Sequence, residues 1–92
     1  MLNASRAGEA ADFECTIAGR CCESGDRIAE NIFTARPERG DIIAVLTTGA
    51  YNYAMASNYN RVPRPAMVML AGDEARLVVR RESFADMMRN EL

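Results

Sequence analysis

Residues 67–80 have the sequence Met67-Val68-Met69-Leu70-Ala71-Gly72-Asp73-Glu74-Ala75-Arg76-Leu77-Val78-Val79-Arg80. Two short apolar runs flank a turn at Ala71-Gly72-Asp73, where glycine supplies the backbone freedom that a tight hairpin needs. In the second run, side chains alternate between an apolar face, Ala75, Leu77 and Val79, and a basic face, Arg76 and Arg80. The stretch predicts an antiparallel hairpin lying over a core.

Three further strands are predicted nearer the N-terminus. Residues 13–17 alternate at period two, which places Phe13, Cys15 and Ile17 on one face, toward the core. Residues 28–34 form a weaker strand candidate. Residues 42–46, Ile-Ile-Ala-Val-Leu, are a continuous apolar run of the kind found in strands that are covered on both faces.

The C-terminus changes to a helical period. Ser83 followed by Asp86 has the pattern of a capping box, and Phe84, Met87 and Met88 form an apolar stripe on a short helix. Five regularly spaced strand candidates and one terminal helix indicate a mainly β fold, a β-sandwich or a Greek-key barrel. Residues 1–12 show no clear period, so we expect a poorly ordered lead-in, or a strand that needs missing neighbours, before a β domain over residues 13–92.

The composition excludes several kinds of chemistry. All eleven basic residues are arginine, the chain has no lysine, histidine or tryptophan, and the formal charge is −2. The chain therefore has no Schiff-base lysine, no P-loop lysine and no catalytic histidine. It also lacks the basic surface of a nucleic-acid-binding protein. Either the domain is not a self-sufficient enzyme, or its chemistry rests on Cys, Asp, Glu and Tyr.

The cysteines indicate a reducing compartment. Cys15, Cys21 and Cys22 are odd in number, and a bridge between the adjacent pair would be strained. We therefore expect unbridged thiols and a cytoplasmic protein. Three clustered cysteines without histidine are a poor ligand set for zinc, so no metal site is predicted. No apolar run reaches the ~18 residues of a membrane-spanning helix, so no membrane partner is expected.

The loop over residues 20–26, Arg-Cys-Cys-Glu-Ser-Gly-Asp, is not explained by packing. One interpretation is a polar connection with Gly25 in a left-handed turn. The other is functional. An ordinary thiol ionises near pH ~8.5, so at neutral pH Cys22 could give a proton to a carbanion. Glu23 could then bind an ammonium group of a substrate.

A second unexplained segment holds all three tyrosines. Three asparagines accompany them between residues 51 and 60, and Pro63-Arg64-Pro65 follows. One interpretation is a structured loop whose tyrosine rings cover the core. The alternative is a pocket, because phenols and amides in an irregular loop can bind phosphate or an amino acid. The two prolines favour a rigidly placed surface.

Taken together, these segments resemble the C-terminal region of diaminopimelate decarboxylases. The resemblance rests on ordered motifs: Gly19-Arg20-Cys21-Cys22-Glu23-Ser24-Gly25-Asp26, Gly49-Ala50-Tyr51, Ser57-Asn58-Tyr59-Asn60, Pro63-Arg64-Pro65 and the tail Arg80-Arg81-Glu82-Ser83-Phe84. It covers nearly the whole chain, from about Phe13 to Leu92. Four ordered motifs and a matching tail make it specific.

The resemblance implies a pyridoxal 5'-phosphate enzyme of the alanine racemase-like fold. In that family a TIM barrel carries the cofactor lysine, and this chain would be the β domain that closes the site. The implied reaction converts meso-2,6-diaminoheptanedioate to L-lysine and carbon dioxide. The matching positions imply Cys22 as proton donor, Glu23 as the group that holds the distal ammonium, and Tyr51 as a contact to cofactor and substrate. The implied partners are the barrel and a second subunit, since the Cys-Glu loop completes the other subunit's site.

Two alternatives stay open. The chain could be the same domain of a decarboxylase for ornithine, arginine or carboxynorspermidine, although the cysteine of those relatives is usually followed by a residue other than glutamate. It could also be a stand-alone β module that binds a partner and does no chemistry. The absence of lysine together with an intact set of strands supports that second alternative.

Overall fold

A computed structural model describes the whole chain, Met1–Leu92. Its elements are strands β1 (Leu2–Asn3), β2 (Phe13–Ala18), β3 (Arg27–Thr34), β4 (Ile43–Ala44), β5 (Met67–Ala71) and β6 (Glu74–Val79), helices α1 (Asn52–Met55) and α2 (Phe84–Met88), and 3-10 turns at Ala4–Arg6 and Tyr59–Arg61. The expected mainly β fold with a short C-terminal helix is confirmed. The strands pair as three two-stranded sheets, β1–β4, β2–β3 and β5–β6. The chain divides into two compact units, Met1–Thr47 and Thr48–Leu92.

The antiparallel β2–β3 hairpin confirms the alternation predicted in the first unit. Along β2 every second residue is partly buried, beginning with Phe13 and including Cys15 and Ile17. Opposite them, Cys15 pairs with Ile32 and Ile17 pairs with Ala29, so two residues of β3 face one of β2. This is a β-bulge, and its Asn31 adopts φ 52°. The extra residue interrupts the alternation of buried and exposed side chains along β3, which explains why its sequence predicts a strand only weakly.

The apolar run over residues 42–46 does not form the long covered strand that was expected. Only Ile43–Ala44 is a strand, because its partner β1 offers just Leu2 and Asn3. The flanking Ile42 and Leu46 remain exposed. Within the lead-in, β1 is followed by the 3-10 turn Ala4–Arg6, where the Asn3 side chain accepts a hydrogen bond from the Ser5 N–H at 3.1 Å.

One carboxylate fastens the N-terminal segment of the first unit. Asp41 Oδ2 accepts hydrogen bonds from Asn3 Nδ2 at 2.9 Å, Arg6 Nε at 2.8 Å and the Glu38 N–H at 2.9 Å. Asn3 is only 2% exposed, and its buried amide is satisfied by these contacts. Three donors on one carboxylate favour its charged form and hold the pKa of Asp41 near 2.

The predicted hairpin in the second unit forms as β5–β6. Gly72 takes φ 57° at the first position of its two-residue turn, a conformation that costs glycine little. A bulge near the open end places Val79 opposite Met67, so Val79 no longer shares a face with Leu77. The expected core beneath the hairpin is wrong for this chain, since every residue of β5 is exposed and Leu70 is 76% exposed. The apolar pattern of the hairpin therefore has no matching cover within the chain.

The C-terminal helix has the capping box that its sequence predicts. The Ser83 side chain accepts from the Asp86 N–H, and the Asp86 carboxylate accepts from the Ser83 N–H at 2.7 Å. The apolar stripe is largely uncovered, because Phe84 and Met88 are exposed. The short helices include none that could cross a membrane.

Candidate functional site

The Cys-Glu loop connects β2 to β3 and is held by its own backbone. The Gly19 N–H donates to the Asp26 carbonyl at 2.8 Å, which closes the loop at its base. Within the loop, the Glu23 N–H donates to the Cys21 carbonyl at 2.8 Å and the Asp26 N–H donates to the Glu23 carbonyl at 3.1 Å. These bonds give Cys22 and Glu23 a defined place at the tip of a hairpin.

Asp26 braces the first half of this loop. Its carboxylate accepts from the Cys21 N–H at 2.8 Å, and a Cβ on Gly19 would lie 2.1 Å from its Oδ2. Any side chain at position 19 would therefore displace the Asp26 carboxylate and disturb its hydrogen bond to the Cys21 N–H. Partial burial and the neighbouring Asp26 carboxylate raise the pKa of the Cys21 thiol. Cys21 is thus kept in its protonated form.

Glu23 is exposed and bends back over its own loop. Its Oε1 accepts from the Gly25 N–H at 2.7 Å. Gly25 is not in the left-handed conformation that one interpretation of the loop required, because its φ is not positive. A glycine suits this position for a different reason: a Cβ there would lie 2.9 Å from Glu23 Oε1. The second oxygen of Glu23 is left available for a cation.

Cys22 is exposed at the tip of the loop, whereas Cys15 and Cys21 are partly buried. None of the three cysteines forms a disulfide. The structure thus presents one accessible thiol next to one accessible carboxylate, as the functional interpretation requires. Nowhere in the chain do three or more side chains of the metal-binding types gather into a candidate metal site.

Tyr51 belongs to the second unit, and it precedes the one-turn helix α1. Its carbonyl accepts from the Met55 N–H at 2.9 Å, which fixes the backbone. Its side chain does not cap α1 and is 71% exposed. The ring and hydroxyl of Tyr51 are therefore presented to a partner or ligand rather than to a core.

A cavity of about 510 Å³ is lined by residues that stand next to Tyr51 in the chain, although Tyr51 itself is not part of its lining. Its two walls come from separate stretches of the second unit: Thr48, Gly49, Asn52 and Tyr53 on one side, and Pro65, Ala66 and Met67 on the other. Pro65, the second proline after the tyrosine segment, thus forms part of a wall of this cavity, and its fixed backbone angle makes that wall rigid.

Glu82 is the residue whose role the sequence did not reveal. Its carboxylate accepts from the Asn58 side chain, from the Arg64 N–H at 2.9 Å and from Arg64 Nη2 at 3.1 Å. The Glu82 N–H in turn donates to the Arg64 carbonyl at 3.2 Å. These donors hold the pKa of Glu82 near 2. The partners lie 18 and 24 residues away, and the only sequence signal is a lone acid after two arginines.

The geometry and the comparisons identify the class of protein. A family model described as "pyridoxal-dependent decarboxylase, C-terminal sheet domain" matches residues 2–49. The strands on either side of the Cys-Glu loop lie within this match. The chain belongs to the family of pyridoxal-dependent decarboxylases, as part of their C-terminal sheet domain.

Within that class, the similarity is to diaminopimelate decarboxylases. The chain is 51% identical over 89 residues to the diaminopimelate decarboxylase of Bacillus subtilis, which covers 97% of this chain and 20% of that protein. Two crystal structures of the M. jannaschii enzyme, one of them a complex with L-lysine, match at 35% identity over 87% of this chain and 18% of theirs, with TM-scores of 0.83 and 0.82. The chain spans about a fifth of the length of these relatives.

Proposed function

We propose that residues 13–92, preceded by the lead-in 1–12, form the C-terminal β domain of an enzyme that decarboxylates meso-2,6-diaminoheptanedioate to L-lysine. The observation that carries this proposal is the exposed Cys22-Glu23 pair in a chain 51% identical to a diaminopimelate decarboxylase over nearly its whole length. A related structure that holds L-lysine supports the identity of the product.

The residues present fit one edge of a pyridoxal phosphate site. Tyr51 offers an exposed ring and hydroxyl, and a Cβ built on Gly49, two residues before it, would meet no atom within 4 Å. The chain has no lysine, so the covalent anchor must come from another domain. When bound, the cofactor stores the electrons left at the α-carbon after carbon dioxide departs. We expect the 92-residue chain alone to be inactive.

Cys22 and Glu23 take separate roles in this proposal. The Cys22 thiol gives its proton to the α-carbon of the decarboxylated substrate, and its exposure at a loop tip makes the sulfur accessible. Glu23 holds the distal ammonium through its second oxygen while the first keeps the Gly25 N–H. The bond to Gly25 orients the carboxylate before the substrate arrives.

The proposed partners are a TIM barrel of the same protein and a second subunit. The uncovered apolar residues of β5 and the stripe on α2 support a cover outside this chain. Three cysteines without a disulfide support a reducing compartment, and we propose the cytoplasm.

The test uses a parent enzyme, either the full-length protein that carries this chain or the Bacillus subtilis relative with its matching fifth replaced by this chain. The wild-type parent is assayed for carbon dioxide release from meso-2,6-diaminoheptanedioate, ornithine and arginine. Release from ornithine or arginine but not from the first substrate would overturn the proposed substrate.

The roles of the two loop residues are tested in the same parent. We expect Cys22→Ala to lower kcat by about 10²- to 10⁴-fold with cofactor binding unchanged, since it removes the proton donor. Glu23→Gln keeps an acceptor for the Gly25 N–H, and it should mainly raise KM because only the charge is lost. Cys21→Ser is the matched control and should retain activity. Wild-type kinetics for both variants would remove the assignment.

A further inference from the structure

The segment from Asn58 to Arg64 carries backbone strain that something must hold. Asn60 and Arg61 both adopt left-handed conformations, with φ 55° and 57°. Asparagine tolerates this region, but arginine does not favour it, because its Cβ comes too close to the following carbonyl oxygen. Strain of this kind persists only where surrounding contacts over-determine the conformation.

Two carboxylates supply contacts from outside the segment: Glu91 pairs with the Arg61 side chain, and Glu82 bonds to both ends of the segment. Glu82 receives the Asn58 amide at one end of the segment and the Arg64 N–H and guanidinium at the other. Asn58 Nδ2 also donates to the Val62 carbonyl at 3.1 Å, so the amide links Glu82 to the strained turn itself. One carboxylate thus closes both ends of a seven-residue segment.

The held segment leads directly to the surroundings of Tyr51. Arg64 is followed by Pro65, which lines the 510 Å³ cavity opposite Gly49, the first residue of the Gly-Ala-Tyr motif, and Asn52, the residue after it. Tyr53 lines this cavity and also a second one together with Arg64 and Glu82. The position of the Arg64–Pro65 backbone therefore sets one wall of the cavity that the tyrosine segment lines from the other side, with Tyr53 beside Arg64.

We propose that Glu82 is a positioning residue of the decarboxylase: its carboxylate holds the strained 58–64 segment and thereby fixes where Tyr51 is presented to cofactor and substrate. This inference rests on the proposed function for the role of Tyr51. The Arg64 guanidinium, the Asn58 amide and an N–H all favour a charged Glu82, and its pKa of about 2 agrees with a carboxylate that stays ionised at neutral pH.

The variant that tests this is Glu82→Gln. A glutamine amide has one oxygen and one NH₂ group, so the NH₂ group would face at least one of the donors that now point at Glu82. The substitution keeps the size of the side chain but breaks at least one of its hydrogen bonds to the 58–64 segment. Glu82→Asp keeps the charge but withdraws it by one methylene, so it should show a smaller effect of the same kind.

The matched control is Asp86→Asn. Asp86 lies in the same cavity as Glu82 and is bonded at least as heavily, with both of its oxygens 2.7 Å from the Arg80 guanidinium. It also caps α2, and its hydrogen bonds go to Arg80 and Ser83 rather than to the 58–64 segment. The Asp86→Asn variant therefore shows the effect of losing a carboxylate near Tyr53 while the bonds of Glu82 to the segment are kept.

The first measurement needs no catalysis. Trypsin can cut the segment after Arg61 but cuts poorly after Arg64, because Pro65 follows. In the folded parent enzyme, we expect Glu82→Gln to speed cleavage at Arg61–Val62 by about tenfold, the effect of losing one charge-assisted hydrogen bond. Asp86→Asn should leave cleavage at this bond at the wild-type rate. Mass spectrometry of the products assigns each cut.

The second measurement is kinetic, at a temperature where circular dichroism shows every variant fully folded. We expect Glu82→Gln to raise KM and lower kcat/KM by about 10- to 100-fold, as a displaced contact residue does. Asp86→Asn should keep the wild-type KM. The kinetics use whichever substrate the wild-type parent turns over, so a wrong substrate assignment does not affect this test.

Each outcome decides. Faster cleavage together with a raised KM for Glu82→Gln, and neither for Asp86→Asn, supports the proposal. Wild-type cleavage for Glu82→Gln overturns it because the segment is then not held by Glu82. Faster cleavage with wild-type kinetics also overturns it, since Glu82 then stabilises the segment without affecting how the enzyme binds its substrate. Equal kinetic losses in both variants also overturn it, because they show a general effect of removing charge.

Discussion

The two units of the chain each contain a carboxylate that receives the same three kinds of donor. In the first unit Asp41 receives a side-chain amide from Asn3, a guanidinium from Arg6 and a backbone N–H. In the second unit Glu82 receives an amide from Asn58, and a guanidinium and a backbone N–H that both belong to Arg64. We call these the Asp41 clamp and the Glu82 clamp.

The clamps differ in what they fasten. The Asp41 clamp ties the chain near β1 to the turn before β4, so it supports the pairing of two short strands. The Glu82 clamp ties both ends of an irregular segment that adjoins the Gly-Ala-Tyr motif. The same chemistry thus secures the fold in one unit and a candidate binding surface in the other. Mutations of the two carboxylates should therefore have different effects, on stability for Asp41 and on kinetics for Glu82.

Acid should remove both clamps together, the largest effect we expect. The pKa of Asp41 falls from 3.8 to about 2 and that of Glu82 from 4.5 to about 2 in the folded state. Since the folded pKa values are lower, the unfolded chain binds protons first. The stability that the clamps contribute is complete above about pH 4.5 and is lost as pH falls toward 2.

Urea unfolding of the parent enzyme at a series of pH values measures this loss. Asp41→Asn and Glu82→Gln should each flatten the profile between pH 4.5 and 2, and the double variant should flatten it most. Asp86 belongs to the same window, because its hydrogen bonds with Arg80 and Ser83 also lower its pKa. A wild-type profile with no loss across this range would contradict the clamp description.

Neutralising the first clamp alone should be the next largest effect. All three donors bond to Asp41 Oδ2, so Asp41→Asn can keep an amide oxygen for them but removes the negative charge. Hydrogen bonds to a charged acceptor are stronger than those to a neutral one, so we expect Tm to fall by several degrees. Because this clamp holds strands and not the tyrosine segment, kcat/KM of the folded parent should not change.

The control for that variant is Asp12→Asn, an exposed acid of the same unit without a hydrogen bond or ion pair. It should keep the wild-type Tm. A kcat/KM loss in Asp41→Asn as large as that of Glu82→Gln would erase the distinction between the two clamps.

Features that the sequence predicted well depend on short spacings. The β2 strand follows from period two, the β5–β6 hairpin from a glycine turn, and the capping box of α2 from residues three apart. The prediction of a long strand over residues 42–46 was wrong because an apolar run does not indicate which strand pairs with it or what covers it. In this chain only the two residues of β1 pair with the run.

Features that the sequence did not predict depend on distant partners. Asp41 and Asn3 are 38 residues apart, and Glu82 and Asn58 are 24 apart. No periodicity links such positions, and an acid near arginines is usually just a solvated surface group.

The candidate site divides in the same way. The neighbouring Cys22 and Glu23 could be proposed from the sequence, and their roles and that of Tyr51 stay predictions. Only the fold revealed the hold that Glu82 exerts on the segment beside Tyr51. The sequence thus offered the groups with chemistry, and the structure was needed to find the carboxylate that we propose positions one of them, Tyr51.

The smallest expected effect is that of an exposed ion pair, Arg27–Glu30, which belongs to neither clamp. Arg27 Nη1 lies 2.7 Å from Glu30 Oε1, a shorter contact than several in the clamps, but both side chains are about half exposed. Water and salt screen such a pair, and ordering two long side chains costs entropy, so its net contribution is about zero to 1 kcal/mol. Arg27 also keeps its bond to the Ser24 carbonyl at 3.0 Å when Glu30 is changed. We therefore expect Glu30→Gln to leave both Tm and the acid profile unchanged within error. A Tm loss as large as that of Asp41→Asn would mean that short distance, rather than the number of donors converging on one carboxylate, determines which ion pairs stabilise this fold.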